Sequence, residues 1–145
     1  MSEADPALIT DIDGNVPTAL EVLYDYVKTV CDPDDPVLMA YNVDTPGVVR
    51  FLEEDPGVSL HSYGTVVMLE EQVITLTVRS DEGYQSAKNE ALRLRYLIGS
   101  LNDYTSRGIT VLAAVPTGIR PLGPDDKERE AIEVQFVVTV SKSYV

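Results

Sequence analysis

A chain of 145 residues has the length of one ordinary domain and can bury roughly two thirds of the surface its unfolded form exposes. Its 24 acidic residues against 11 basic ones give a net charge of −13, a surface that repels nucleic acid and anionic lipid and argues against a direct role on either. No apolar run nears the roughly 18 residues of a membrane span, the N-terminus lacks a basic signal-peptide head, and the single cysteine, Cys31, excludes an intramolecular disulfide. A soluble protein made in a cytoplasm is expected.

Asp11 to Pro17 reads as a turn before a helix, with Asn15 or Thr18 as N-cap and Thr18 and Glu21 spaced as a capping box. The helix runs to about Val30. Its apolar positions Val16, Ala19, Leu20, Leu23, Tyr26, Val27 and Val30 share one face, while Glu21, Asp25 and Lys28 lie off it. Cys31, near the end of this pattern, suits a small buried hydrophobe. The prolines of Cys31 to Pro36 stop the helix.

Pro36 to Tyr41 predicts a short strand and Gly47 to Glu53 a better one, bounded by Pro46-Gly47 and Pro56-Gly57. Asp55 to Glu71 reads as a projecting arm or as a hairpin through Ser62-Tyr63-Gly64. A stretch of that length without regular structure would signal contact with a partner.

Gln72 to Arg79 alternates, with Ile74, Leu76 and Val78 on an apolar face and Val73, Thr75, Thr77 and Arg79 on a mixed one. A second helix follows, capped by Ser80 or Asp81, with Tyr84, Ala87, Ala91, Leu94, Ile98 and Leu101 as its stripe. Glu90 and Arg93 on its outside predict a small surface pairing. Ile109 to Val115 is apolar on both faces, as a central strand would be, and Pro116 is expected to end it. Beyond a loop from Thr117 to Arg129, Ile132, Val134, Phe136, Val138 and Val140 alternate along a last strand. Together these elements give an α/β (α+β) chain: one domain over 1–145, its mixed, mainly antiparallel sheet covered by two amphipathic helices.

Chemistry is sparse. Leu8 to Val16 (LITDIDGNV) looks like the nucleophile motif of haloacid-dehalogenase-type phosphatases, in which Asp11 would attack phosphorus and Asp13 act as acid and base beside Mg²⁺. The apolar run before it is short and the repeated βα units of such enzymes are missing, so a turn eased by Gly14 is the better reading. Asp32, Asp34 and Asp35, or Asp125 and Asp126, lack the spacing of a calcium loop. His61, the one histidine, forms no site alone and suits an exposed loop. No catalytic residue, cofactor or metal is expected. The eight tyrosines suit interfaces or, on helices, the core.

The order of elements, with TVRSDEGYQSAKNEALRLRYLIGSL and GIRPLGPDDKERE, resembles the tail terminator or minor capsid (neck) proteins of long-tailed viruses over roughly Val16 to Ser141. The carrying motifs are Thr77-Val78-Arg79-Ser80 before Tyr84 and Ala87, and the turn Leu122 to Arg129. Asp55-Pro56-Gly57 stands where a glycine-rich step is usual, and Glu128 where a turn glycine is common. The resemblance implies a homo-oligomeric ring, a hexamer, at the head–tail junction of a virion, with a tail tube protein and a head completion or neck protein as partners. Tyr63, Val66, Val67, Met68 and Leu69 on the arm, and Leu122, Gly123, Asp125 and Arg129 on the turn, would then contact neighbouring subunits or the tail. The Asp-rich, Lys-poor composition resembles that of proteins from salt-loving microbes and their viruses, which would place the chain in a haloarchaeal tailed virus.

Overall fold

The computed structural model describes residues 17–39, 44–63 and 67–143; for 56–63, 67, 68 and 143 it describes the backbone alone. Along the chain come α1 (Ala19–Val30), β1 (Val37–Leu38), β2 (Val48–Tyr63), β3 (Val67–Ser80), α2 (Tyr84–Gly99), β4 (Tyr104–Ser106), β5 (Ile109–Pro124) and β6 (Glu130–Ser143). The six strands form one sheet in the order β1-β2-β3-β6-β5-β4. Only β1 runs parallel to its neighbour. This is the mixed, mostly antiparallel α+β architecture that the sequence predicts.

α1 begins where its capping residues place it. The Glu21 carboxylate accepts the Thr18 backbone N–H at 2.8 Å, satisfying a donor that helix geometry orphans and placing an acid at the positive end of the helix dipole. Ala19, Val22, Leu23 and Val27 are fully buried, so the core face is centred one residue differently from the expected stripe. Tyr26 and Val30 are only partly covered. The helix ends at Cys31, whose backbone is extended, and Pro33 two residues on cannot continue it.

The sheet contributes alternate residues to the core: Ile74, Leu76 and Val78 from β3, and Ile132, Val134, Phe136, Val138 and Val140 from β6, as their period of two predicts. They form one cluster with the buried residues of α1 and with Ala87, Ala91, Leu94 and Ile98 of α2. Each large side chain sealed there is worth about 1.5–3 kcal/mol. Small alanines on two successive turns of α2 let that helix approach the sheet closely, and Gly99 continues this: a Cβ there would stand 3.1 Å from Pro116 Cγ.

The strands are longer than the sequence predicts. β2 continues beyond Glu53 and β3 starts before Gln72, and the two pair in a hairpin as far as Tyr63 opposite Met68. His61 accordingly sits in a strand, opposite Glu70. Pro116 does not end β5, which runs on to Pro124 with register shifts at Val111/Ala113, Pro116/Gly118 and Pro121/Gly123. β5 is also not central, because beyond it lies only the three-residue β4. Single-residue bulges let a proline-containing strand keep pace with its partner.

Three local expectations change. The N-cap of α2 is Gly83 at φ +108, while the Ser80 hydroxyl accepts the Glu82 N–H at 2.9 Å and Asp81 accepts the Gly47 N–H at 2.9 Å. Tyr84 is exposed and Leu101 only partly buried, so the stripe of α2 is narrower than its spacing suggests. Cys31 is half-buried rather than sealed, with Sγ 3.6 Å from Arg93 Nη2. Burial pushes its thiol upward, which keeps it protonated and inert.

Candidate assembly surface

β6 pairs with β3 from Glu130 opposite Ser80 to Ser143 opposite Val67. The β5–β6 turn and the β2–β3 hairpin tip therefore lie at opposite ends of the sheet, about 40 Å apart at roughly 3.4 Å per residue. This divides the residues expected to make contacts into two groups. Tyr63, Val67 and Met68 lie at the hairpin end, where Tyr63 pairs with Met68. Leu69 follows there, paired with Ser62 and Ser141 and exposed. Val66 lies outside the described residues. Leu122, Gly123, Asp125 and Arg129 gather at the other end.

The hairpin is anchored at its base. Where the β2–β3 register shifts between Glu54 and Ser59, the Asp55 carboxylate accepts Thr75 Oγ1 on one oxygen and Gln135 Nε2 on the other, both at 2.8 Å. Thr75 and Gln135 are register partners on β3 and β6, so Asp55 folds across one strand to reach the next.

The opposite end is closed by a self-contained turn. Asp125 accepts the N–H groups of Lys127 and Arg129 on Oδ1, each at 2.9 Å, and Arg129 Nε on Oδ2 at 2.8 Å. The Arg129 guanidinium beside it, then those backbone donors, hold the Asp125 carboxyl down at about 2. Arg129 is buried in the process. Glu128 takes φ +59, a left-handed conformation that explains why a glycine is at home in such a turn.

Two edges of the sheet stay open among the described residues. β1 covers β2 only at Arg50 and Phe51, and β4 covers β5 only from Ile109 to Val111. Along β5, Pro116, Pro121 and Pro124 stand opposite Phe136, Ile132 and Glu130, all even-numbered positions of β6. An antiparallel ladder alternates pairs that exchange hydrogen bonds with pairs whose groups point outward, and proline fits only the second kind. The three missing donors thus fall on the open edge, which makes β5 a poor template for another strand. On β2 beyond Phe51, Pro56 alone removes a donor.

Ion pairs supply the remaining chemistry. Arg50 Nη2 lies 2.5 Å from Glu90 Oε2 and 3.6 Å from Asp35 Oδ2. Arg93 Nε binds the other Glu90 oxygen at 2.6 Å and Arg93 Nη1 reaches the Val30 carbonyl at 2.9 Å. Burial alone would raise the Glu90 carboxyl, but Arg93 and Arg50 outweigh it and hold the group below its ordinary value. A carboxylate kept ionised between two guanidiniums stays charged near neutrality and joins α1, β2 and α2 instead of shuttling protons. On the far side of the sheet Arg79, which the sequence placed only in a mixed face, lies over the Phe51 ring at 4.9 Å and donates to the Thr45 carbonyl. The signal available was an arginine on a strand whose opposite face is apolar and packs into the core, since such an arginine needs a partner when it is buried.

Asp11 and Asp13 lie outside the described residues. Among the described residues, no group of three or more His, Cys, Asp or Glu is placed to hold a metal ion, and no helix is long and apolar enough to cross a membrane.

No family model matches the sequence, and a search of curated proteins finds no match. The fold is similar to a chain in a solved structure described as "Virion of native gene transfer agent (GTA) particle", with a TM-score of 0.60 at 15% identity, covering 86% of this chain and 99% of that one. At that identity the likeness is one of fold.

Proposed function

We propose that this chain is a structural, non-enzymatic virion protein of a tailed particle. It acts as one domain whose two helices cover the sheet, with the 55–71 hairpin as its arm. In this reading, copies form a ring, a hexamer, at the head–tail junction that ends tail tube polymerisation and joins the tail to the neck. The observation that carries the proposal is the near end-to-end fold likeness to a chain of a gene transfer agent virion, which agrees with the resemblance of the turn and strand–helix motifs to tail terminators. The two contact groups at opposite ends of the sheet suit such a part. One end can imitate a further tube subunit while the other presents a different surface to the neck, so polymerisation stops and docking begins.

The donor-poor edge of β5 favours the β2 edge or its hairpin, with Tyr63, Val66, Val67, Met68 and Leu69, for contacts between subunits. Leu122, Gly123, Asp125 and Arg129 would shape the other end. The acidic, lysine-poor surface is that of a protein working in high salt, as in a haloarchaeal virus. A second reading, another neck or tail completion protein, rests on the same fold likeness. The phosphatase reading rests on Asp11 and Asp13 alone.

The test is to purify particles from the virus that encodes the chain, label them with gold-tagged antibody to it and image them. Label at the head–tail junction is expected. Absence of the protein from purified particles would overturn the proposal, and Mg²⁺-dependent phosphatase activity lost in Asp11→Asn would replace it with the enzymatic reading.

A further inference from the structure

The helix α2 carries three cations, Lys88, Arg93 and Arg95, against one acid, Glu90, in a chain of net charge −13. Glu90 and Arg93 neutralise each other on the flank facing α1. The opposite flank is different. Tyr84, Lys88, Leu92 and Tyr96 recur every four residues along it and Arg95 falls on the same side, since residues four and seven apart share a helix face. Tyr84, Leu92 and Tyr96 are 43%, 41% and 74% exposed. Lys88 and Arg95 form no ion pair among the described residues, and Arg95 Nε is buried without a hydrogen-bond partner.

This flank borders β5, because Gly99, which lies on it, abuts Pro116. Farther along β5, Ile119 points to the same side of the sheet as its register partner Val134. Val134 is sealed, yet Ile119 is 44% exposed. The helix side of the sheet is therefore open over the distal half of β5. Its border holds apolar and aromatic side chains and two cations that form no ion pair among the described residues, with Glu130, opposite Pro124 on the same side, as the acid at its distal end.

We propose that this strip is the docking surface for a second copy of this chain, which presents an acidic, apolar-edged surface to it; the inference rests on the ring reading above. Charge selects the partner surface. Two copies at −13 repel except where a basic patch meets the acidic remainder, and apolar centres with charged rims are the usual build of such contacts. A two-fold contact centred on this strip would set Lys88 and Arg95 against their own copies, so a contact that joins the strip to a different, acidic patch is favoured, and head-to-tail contacts of that kind close into rings or run on as filaments.

The test is sedimentation of wild type and of Lys88→Glu/Arg95→Glu at a salt concentration where wild type assembles, with circular dichroism and urea melts to establish folding. A second variant, Lys88→Glu/Tyr96→Ser, leaves Arg95 and its buried nitrogen in place. Both variants should be folded monomers. Because each keeps its acidic surface, labelled variant added to wild type should still bind one end of an assembly and shorten it. Wild type that assembles while both variants assemble equally well overturns this contact and leaves the ring reading standing. Wild type that stays monomeric overturns both. Variants that assemble normally but are lost from particles assign the strip to a different virion protein and overturn the self-contact.

Discussion

Arg50 on β2 and Glu90 on α2 meet at 2.5 Å with side chains only 6% and 12% exposed. The sequence predicts Glu90 as half of a small surface pair with Arg93, and on that basis removing it would cost little. Its position between two guanidiniums reverses the expectation, since truncating Glu90 leaves the buried Arg50 with only the more distant Asp35 carboxylate at 3.6 Å. Glu90→Ala should lose about 2–3 kcal/mol, somewhat below the cost of breaking a fully sealed pair. Urea denaturation measures this, and a loss under about 0.5 kcal/mol, the size of an exposed helix pair, would return Glu90 to the surface.

Acid should weaken the fold in a defined direction. Hydrogen bonds from Arg107 and Ser106 outweigh burial and hold Asp25 below its ordinary value, Glu90 is lowered in the same sense, and Asp125 is held at about 2. Each folded-state value lies below the unfolded one, so the unfolded chain binds protons first. The stability these groups contribute is present above the unfolded values near pH 4 and lost as pH falls through the folded ones. Urea midpoints should be flat near neutrality and fall steadily below about pH 4. In Asp125→Asn the decline toward pH 2 should be shallower, and a wild-type midpoint unchanged down to about pH 3 would contradict the assignment.

Glu128 sits at φ +59 in the β5–β6 turn, where a side chain with a Cβ is strained by about 1–2 kcal/mol. Glu128→Gly should therefore stabilise the protein by about 0.5–1 kcal/mol once the added freedom of the unfolded glycine is counted. Glu128→Val should destabilise it. Thermal melts of the pair check the sign, and a destabilising glycine would show that the turn has another conformation.

Excess negative charge makes the fold sensitive to salt. Repulsion among −13 net charges reaches about 30 Å in 0.01 M salt and about 3 Å in 1 M. Melting temperature should rise across that series, and a flat response would remove the high-salt reading without touching the fold.

The sequence shows the core clearly where one face is buried and the period is clean. Ile132 to Val140 on β6 and Ala87 to Ile98 on α2 are read off their spacing. It fails where tertiary pairing overrides local signals. Pro116 reads as a strand end, yet on a strand with one open edge its missing donor costs no ladder bond. The 55–71 segment looks irregular in sequence because its alternation is weak, and its pairing comes from the β2–β3 register. Asp55 reaching Gln135 across 80 residues and Arg79 over Phe51 are contacts that no local pattern encodes. The two segments expected to make contacts are visible in the sequence, but only strand register places them at opposite ends of one sheet.

We propose that this subunit stops the tail and joins it to the head through its two ends. The direct measurement is electron microscopy of particles assembled with the chain shortened between Ser59 and Leu69, after the shortened protein is shown to fold. Unjoined heads with overlong or unstable tails are the expected result, and normal particles carrying the shortened protein would contradict the claim.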